Sequence, residues 1–270
     1  MRSVIARIAK GVLPQRHWTY LQSVRSRNLQ TRWLEENRIL EFGKRFSNFH
    51  GSTVLHGPFA GMKYPAASIL SRHSVPRLLG SYESELHEVI QSSLSFKYHR
   101  VVDIGSAEGY YAIGFALRGQ SPVVAFEADP RELAFCKEMA RINRVEQRLT
   151  ARDLCTPKAL RALTEGNRCF VLSDCEGYEL ELFDNPTVEA LKRSEVLIEI
   201  HGEAYDPLFA RFSRTHTVQT FIASDRSASE YAELLSLGRD ADLAICEYRP
   251  PRQRWLFAKS REWVVANAPA

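Results

Sequence analysis

The sequence predicts a doubly wound α/β domain built on a mostly parallel sheet, with an antiparallel strand near its C-terminal end and a helical extension at its N-terminus. From residue 100 onward, short apolar runs rich in Val and Ile are separated by amphipathic segments of helical length. Strands alternating with helices at that spacing form a parallel sheet through right-handed crossovers. The composition agrees: 270 residues, 44% hydrophobic and 25% charged, suffice for one well-buried core plus an appendage.

The appendage comes first. The net charge of +4 is unevenly spread, because residues 1–50 hold ten Lys/Arg against three Asp/Glu, a balance of +7 that leaves −3 for the remainder. Trp18, Leu29, Trp33 and Leu40 fall on one stripe at helical spacing, with Arg25 near the same face, so residues 17–46 are expected to form one or two helices. Such a basic arm suits an RNA or an anionic membrane surface. It lacks the interleaved aromatic and glycine pattern of a nucleic-acid module, and packing of its apolar stripe on the body or on a second subunit of a homodimer is preferred. The first 34 residues contain no acid and seven Arg/Lys, a superficial likeness to a mitochondrial targeting segment that ranks below the basic helical arm.

No apolar run approaches the ~18–20 residues that span a bilayer, and Arg7 and Lys10 interrupt the opening MRSVIARIAK before a signal-peptide core can form. The cysteines Cys136, Cys155, Cys169, Cys175 and Cys246 form an odd set without a CxxC pair or a His at zinc-ligand spacing. A reducing, cytoplasmic location is expected. Gly51, Gly57, Pro58, Gly61 and Pro65 mark a loop-rich passage, with the boundary between arm and body at about 50 to 80. The organisation reads as an arm (1–50), a lead-in (51–99) and a main domain (100–262).

The strands follow in order: VVDI (101–104), VVAF (123–126), RLTA (148–151), FVLS (170–173), VLIEI (196–200) and VQTFI (218–222). LAICEY (243–248) and RWLFAK (254–259), separated by Arg249, Pro250, Pro251, Arg252 and Gln253, read as a hairpin. No internal repeat or low-complexity tract is present.

VVDIGSAEGYYAIGFA is a strand, a turn containing Gly105 and Gly109, and a helix starting near Tyr110. Such a turn lets backbone amides approach a ligand and directs a helix N-terminus at it. Its glycine pattern is degenerate, with Ala107 in the middle position. The second strand ends in Glu127, 24 residues after Asp103, where an acid can accept hydrogen bonds from both hydroxyls of a ribose. Nicotinamide dinucleotides use the same pair of elements, and a plain crossover with Glu127 as a solvated strand end is the bland alternative.

DIGSAEGYY (103–111), AFEADP (125–130), SDCEGYELELF (173–183) and VLIEIHG (196–202) resemble the consecutive motifs of FkbM-type methyltransferases, which use S-adenosylmethionine. The resemblance spans about residues 55–258, since GPFAGMKYP (57–65) and LLGSYESEL (78–86) resemble a lead-in of some members. One departure is Ala128, where many members carry Pro. The resemblance implies a seven-stranded class I fold and transfer of the methyl group to a hydroxyl of a small molecule or sugar, leaving S-adenosylhomocysteine. It places Asp103, Gly105, Ser106, Ala107 and Gly109 around the methionine and ribose portions and Glu127, beside Ala128, on the ribose. Asp153, after the third strand, is a candidate for the adenine amino group, against the alternative of a surface ion pair with Arg152.

Methyl transfer is an in-line displacement, so the protein must hold the acceptor oxygen and remove its proton. Asp174, at the carboxyl end of the fourth strand and also beside the cofactor, is the first choice for the reactive centre. Glu199 and His201 share one face of the fifth strand. His201 is read as a general base near neutral pH, in preference to a metal site with Asp174 and Glu199; no metal is assigned. Tyr82, Glu83 and Glu176 are candidates to line the substrate, with His56, Lys63, Tyr64 and His73 in the same lead-in. The alternatives are helix-start acids on the surface for YESELHEVI and helix N-terminal capping for Glu176 and Glu179; capping is preferred for Glu179. DCEGY (174–178) stands where a methyltransferase of base amino groups carries [DN]PP[YF], which argues against a DNA target. RNA ribose or protein methylation, a non-catalytic cofactor-binding subunit and a nicotinamide-dependent oxidoreductase are the competing readings.

Overall fold

A computed structural model describes residues 39–66, 69, 71–248 and 253–262. Most of the predicted basic helix, with Trp18, Arg25, Leu29 and Trp33, lies outside the described residues, as does the 249–252 connection. The described chain opens on helix α1 (Glu41–His50), which buries Phe42 and Phe46. It continues through α2 (Ser74–Leu79) and α3 (His87–Ser95).

The sheet is then built in the predicted alternation: β1 (Arg100–Ile104), α4 (Tyr110–Arg118), β2 (Val123–Phe126), α5 (Pro130–Ile142), β3 (Leu149–Arg152), α6 (Pro157–Thr164), β4 (Cys169–Ser173), α7 (Glu179–Leu182), α8 (Asn185–Ala190), β5 (Glu195–Ile200), α9 (Tyr205–Phe212), β6 (His216–Ile222), α10 (Ala241–Ile245) and β7 (Arg254–Ser260). Seven strands lie in the order β3-β2-β1-β4-β5-β7-β6. β1 to β5 run parallel, and β7 runs antiparallel between β5 and β6.

The strand sequences reflect this placement. All of β4 and β5 is buried, because helices cover both faces of a parallel sheet and leave no side for polar residues. On one face Phe46, Phe59, Leu86, Ile113, Phe115, Met139 and Trp255 form a common core. Leu160, Phe183, Val188, Leu208 and Phe212 form the core on the other. The lead-in belongs to the first core: Val54, Phe59, Met62 and Tyr64 are buried there. A Cβ on Gly114 of α4 would stand 2.4 Å from the Phe59 ring, so glycine is what lets the lead-in lie against that helix. Helix starts follow their sequence signals. Asp129 accepts the Arg131 N–H before Pro130, and Asp184 accepts the Thr187 N–H before α8.

One prediction is overturned. LAICEY is not a strand of a hairpin; its first three residues end helix α10 and the rest is irregular. β7 pairs with β5 on one side and β6 on the other, so no edge remains for another partner. Ala244 and Ile245 are buried as neighbours, as on the packed side of a helix. Among the described residues the five cysteines are free, and no helix is long and apolar enough to cross a membrane.

Candidate active site

The turn between β1 and α4 is shaped by a close approach. Gly105 has φ +77°, and a Cβ there would stand 1.7 Å from the Asp174 carbonyl oxygen; only glycine fits. Ala107 has φ +45° and Gly109 φ +101°, so the degenerate middle position keeps the left-handed backbone of a glycine at a cost of about 1–2 kcal/mol. Glu127 holds this turn from the neighbouring strand. Its Oε2 accepts the Ala107 N–H at 2.8 Å and its Oε1 accepts the Asp129 N–H at 2.7 Å. These two bonds fix the orientation of its carboxylate beside the turn. Asp153 and Ala128 are exposed in the loops after β3 and β2.

Asp103 lies beneath the turn, 1% exposed, and neither carboxylate oxygen has a hydrogen-bond partner. Burial, against the pull of the nearby Ala112 backbone N–H and aided by the charges of Asp174, Glu127 and Glu108, pushes its pKa up to about 8. The Ser106 hydroxyl is also buried and unpartnered. A buried polar atom without a partner costs about 1–3 kcal/mol, more when charged, and this pair is suited to a cationic or hydrogen-bonding ligand. The orphaned acid, the orphaned hydroxyl and the glycine cradle fit the amino-acid end of S-adenosylmethionine.

The reactive candidates meet at the adjacent strand ends. The Asp174 N–H donates to the Ile104 carbonyl at 2.9 Å, and β4 pairs with β5 as far as Ser173 and Ile198, which sets Asp174 beside Glu199. His201 Nε2 stands 3.7 Å from Asp174 Oδ1 and 3.9 Å from Glu176 Oε2. Its Nδ1 lies 2.7 Å from Oε1 of Glu179. Glu179 is 1% exposed and also accepts the Gly177 N–H at 2.9 Å, so it closes the turn before α7 and holds the histidine as well. That second role was not legible, because residues 179 and 201 meet only across a crossover.

The electrostatics differ from the sequence expectation. Burial opposes charge on His201, but the Glu179 hydrogen bond and the charges of Asp174, Glu179 and Glu176 push its pKa up to about 9. It therefore carries its proton at neutral pH, where a general base must be free of one. Burial also raises Asp174, against the pull of His201. Glu199 is raised well above the ordinary range by burial and then by Asp174, to which it is hydrogen-bonded; the proton of that pair sits on Glu199. The donor atoms that converge within 4.8 Å belong to Asp174, Glu176 and His201. Glu176 thus takes the place that the metal alternative gave to Glu199.

Tyr82 and Glu83 are buried, at 5% and 1% exposure, so Glu83 is not a surface acid, whereas Glu88 is exposed in the first turn of α3 as the helix-start alternative has it. Glu83, with φ +50°, accepts the Tyr111 hydroxyl hydrogen bond, and its N–H donates to Glu247 at 3.1 Å. Arg77 lies over the Tyr82 ring at 4.6 Å and pairs with Glu108 of the β1–α4 turn. The Tyr64 hydroxyl reaches the same Glu108 oxygen at 3.5 Å. Arg226 pairs with Glu85 and, at 3.5 Å, with Glu247. Arg77, Glu108, Arg226 and Glu247 were missed by sequence reasoning, their partners being far away in the chain. His56 lies at the periphery, half-exposed and 2.7 Å from Glu233.

No family model matches the chain, and no curated protein matches it. Solved structures do resemble it. A precorrin-6y C5,15-methyltransferase from Geobacter metallireducens GS-15 has a TM-score of 0.46 at 14% identity, over 66% of this chain and 88% of that one. The METTL16 methyltransferase domain has a TM-score of 0.46 at 16% identity, over 74% and 73%. A protein from Klebsiella pneumoniae assigned as an O-methyltransferase has 0.41 at 16%, over 83% and 88%. At these identities the likeness is one of fold. The FkbM resemblance rests on the motifs.

Proposed function

We propose that the protein is an S-adenosylmethionine-dependent methyltransferase of FkbM type that methylates a hydroxyl of a small molecule or sugar. The observation that carries this reading is the buried, unpartnered carboxylate of Asp103 under a turn clamped by Glu127, one strand away from Asp174 and two from His201. In this reading Asp103 holds the cofactor's ammonium, Ser106 and the turn amides hold its polar atoms, and Glu127 accepts hydrogen bonds from the ribose hydroxyls. Bound there, S-adenosylmethionine supplies a methyl group on a sulfonium, open to in-line displacement by an oxygen nucleophile.

Asp174 then orients the acceptor hydroxyl and takes its proton on the carboxylate. His201, already protonated and held by Glu179, fixes the Asp174 carboxylate by its charge. Glu199 donates to Asp174 from the buried side and keeps it in place. Such positioning plus proton removal accounts for a large part of the rate in reactions of this class.

Calorimetric titration with S-adenosylmethionine, S-adenosylhomocysteine and NAD tests the reading. Saturable binding of the two sulfur cofactors, absent for NAD and weakened at least about tenfold by Glu127→Ala, is expected. Binding of NAD alone would reassign the chain to the nicotinamide-dependent enzymes. On a hydroxylated acceptor that is turned over, Asp174→Asn is expected to lower kcat by about 10²–10⁴ with little change in cofactor affinity.

A further inference from the structure

The centre at the ends of β4 and β5 has a geometry that a proton-accepting carboxylate alone does not call for. Asp174 Oδ1, Glu176 Oε2 and His201 Nε2 all lie within 4.8 Å of one another. The imidazole nitrogen stands 3.7 and 3.9 Å from the two oxygens, too far for hydrogen bonds, whose N···O distances end near about 3.2 Å. Atoms at such separations can share one ion at bonds of about 2.0–2.4 Å.

Three further features point to a cation. Asp174 Oδ1, the oxygen facing His201, is shielded from solvent yet has no hydrogen-bond partner. Behind the histidine, Glu179 is 1% exposed and binds Nδ1 at 2.7 Å with one oxygen, while its other oxygen is buried and unpartnered. A carboxylate on the far ring nitrogen is how a metal-ligating histidine is oriented; here it turns Nε2 toward Asp174 and Glu176. Glu176 is held with φ +53°, a backbone that non-glycine residues adopt at a cost, and this bend brings its carboxylate back to the strand ends.

We propose that Asp174, Glu176 and His201 bind one first-row divalent cation of the manganese-to-zinc range, with Glu179 as the residue that positions His201. The nitrogen donor favours these ions over magnesium or calcium, which prefer all-oxygen sites. Three protein ligands leave coordination positions for water or for an acceptor hydroxyl, whose proton the ion would make easier to remove. Ligation displaces the proton that His201 otherwise carries, as metal binding to any imidazolium does, so the bound ion takes over from the His201 charge in holding Asp174. The role at the acceptor rests on the methyltransferase reading; the binding does not.

The full-length protein, stripped with chelator, is titrated with Mn²⁺ while the free ion is followed by electron paramagnetic resonance, with Zn²⁺ as competitor. One site per chain is expected, with Zn²⁺ displacing Mn²⁺ as the stability order requires. Asp174→Asn and His201→Ala should abolish it, and Glu179→Gln should weaken it about 10–100-fold, the range for a group behind a ligand. Glu176 has a side chain 56% exposed, so Glu176→Gln leaves the fold intact and should weaken binding at least about tenfold. Glu189→Gln, on the exposed side of α8, should leave it unchanged.

Absence of saturable binding of either ion up to about 1 mM, an affinity of only about 4 kcal/mol, overturns the site. So does binding that survives both Glu176→Gln and His201→Ala. Cofactor titrations on the same samples keep the two readings apart: Mn²⁺ bound without S-adenosylmethionine upholds the cation site and removes the methyltransferase, and the reverse outcome does the opposite.

Discussion

Asp103 is the residue at which burial and chemistry conflict most openly. Its carboxyl group is 1% exposed with both oxygens unpartnered, and burial raises its pKa to about 8. A cationic ligand group binds the ionised form, so ligation must draw off the proton that the buried acid holds at neutral pH. Affinity for S-adenosylmethionine should therefore rise about tenfold from pH 6 to pH 7, where one proton is released per ligand bound. Calorimetry at both pH values measures it. Asp103→Asn should bind the cofactor weakly and without that pH dependence, and an unchanged pH slope in the variant would assign the proton elsewhere. His201 shows the complementary case, in which three carboxylates outweigh burial. Asp103 and His201 were legible as candidates because strand-end polar residues stand out against apolar runs. Their protonation was not, because it depends on Glu179 and Glu108, which reach them through space.

At the scale of the element, the β1–α4 turn carries the site. Its glycine spacing was readable as a ligand-binding turn, but the reason for Gly105 lies in another strand: the Asp174 carbonyl oxygen occupies the space of a Cβ. That oxygen cannot withdraw easily, since the neighbouring Asp174 N–H is bonded to Ile104. Gly105→Ala combines a left-handed backbone with this clash, and a loss of about 3 kcal/mol or more is expected, measured as a fall in the denaturant midpoint at unchanged slope. Ala107→Gly should raise stability by at most about 1 kcal/mol, since the left-handed backbone at φ +45° already has the glycine conformation. The misread LAICEY belongs to this scale too. Six residues with mixed apolar content fit either a strand or a helix turn, and the decision fell to β5 and β6, which fill both edges of β7.

Across the whole molecule, the lead-in is joined to the sheet domain by buried ion pairs as well as by apolar packing. Arg77 meets Glu108 and Arg226 meets Glu85 and Glu247. Glu247 is pushed up to about 8, by burial against the pull of Arg226. A carboxyl raised above its unfolded value near 4.3 contributes stability that is complete below that pH and is lost as pH rises through about 8. Melting temperature should accordingly fall between pH 5 and pH 8. Glu247→Gln, whose amide oxygen can still accept the Glu83 N–H, should flatten that fall by about 2–4 °C for each kcal/mol involved. Equal slopes in the two proteins would place the titration at the other raised groups, Asp103, Asp174, Glu199 and His201.

The sequence by itself determined the parallel order of strands and helices, the turn at Gly105, the acid at Glu127 and the polar strand ends at Asp174, Glu199 and His201. These are local matters: periodicity, turn chemistry and the contrast of a polar residue ending an apolar run lie within a few residues of each other. Only the tertiary structure decided that β7 enters between β5 and β6, that Glu179 serves His201, that Glu176 rather than Glu199 completes the cluster with Asp174, and that Tyr82 and Glu83 are buried against the turn. Each of these is a contact between segments remote in the chain. Burial, charge and the room for a Cβ at such contacts depend on what the fold brings alongside, and no window of sequence contains it.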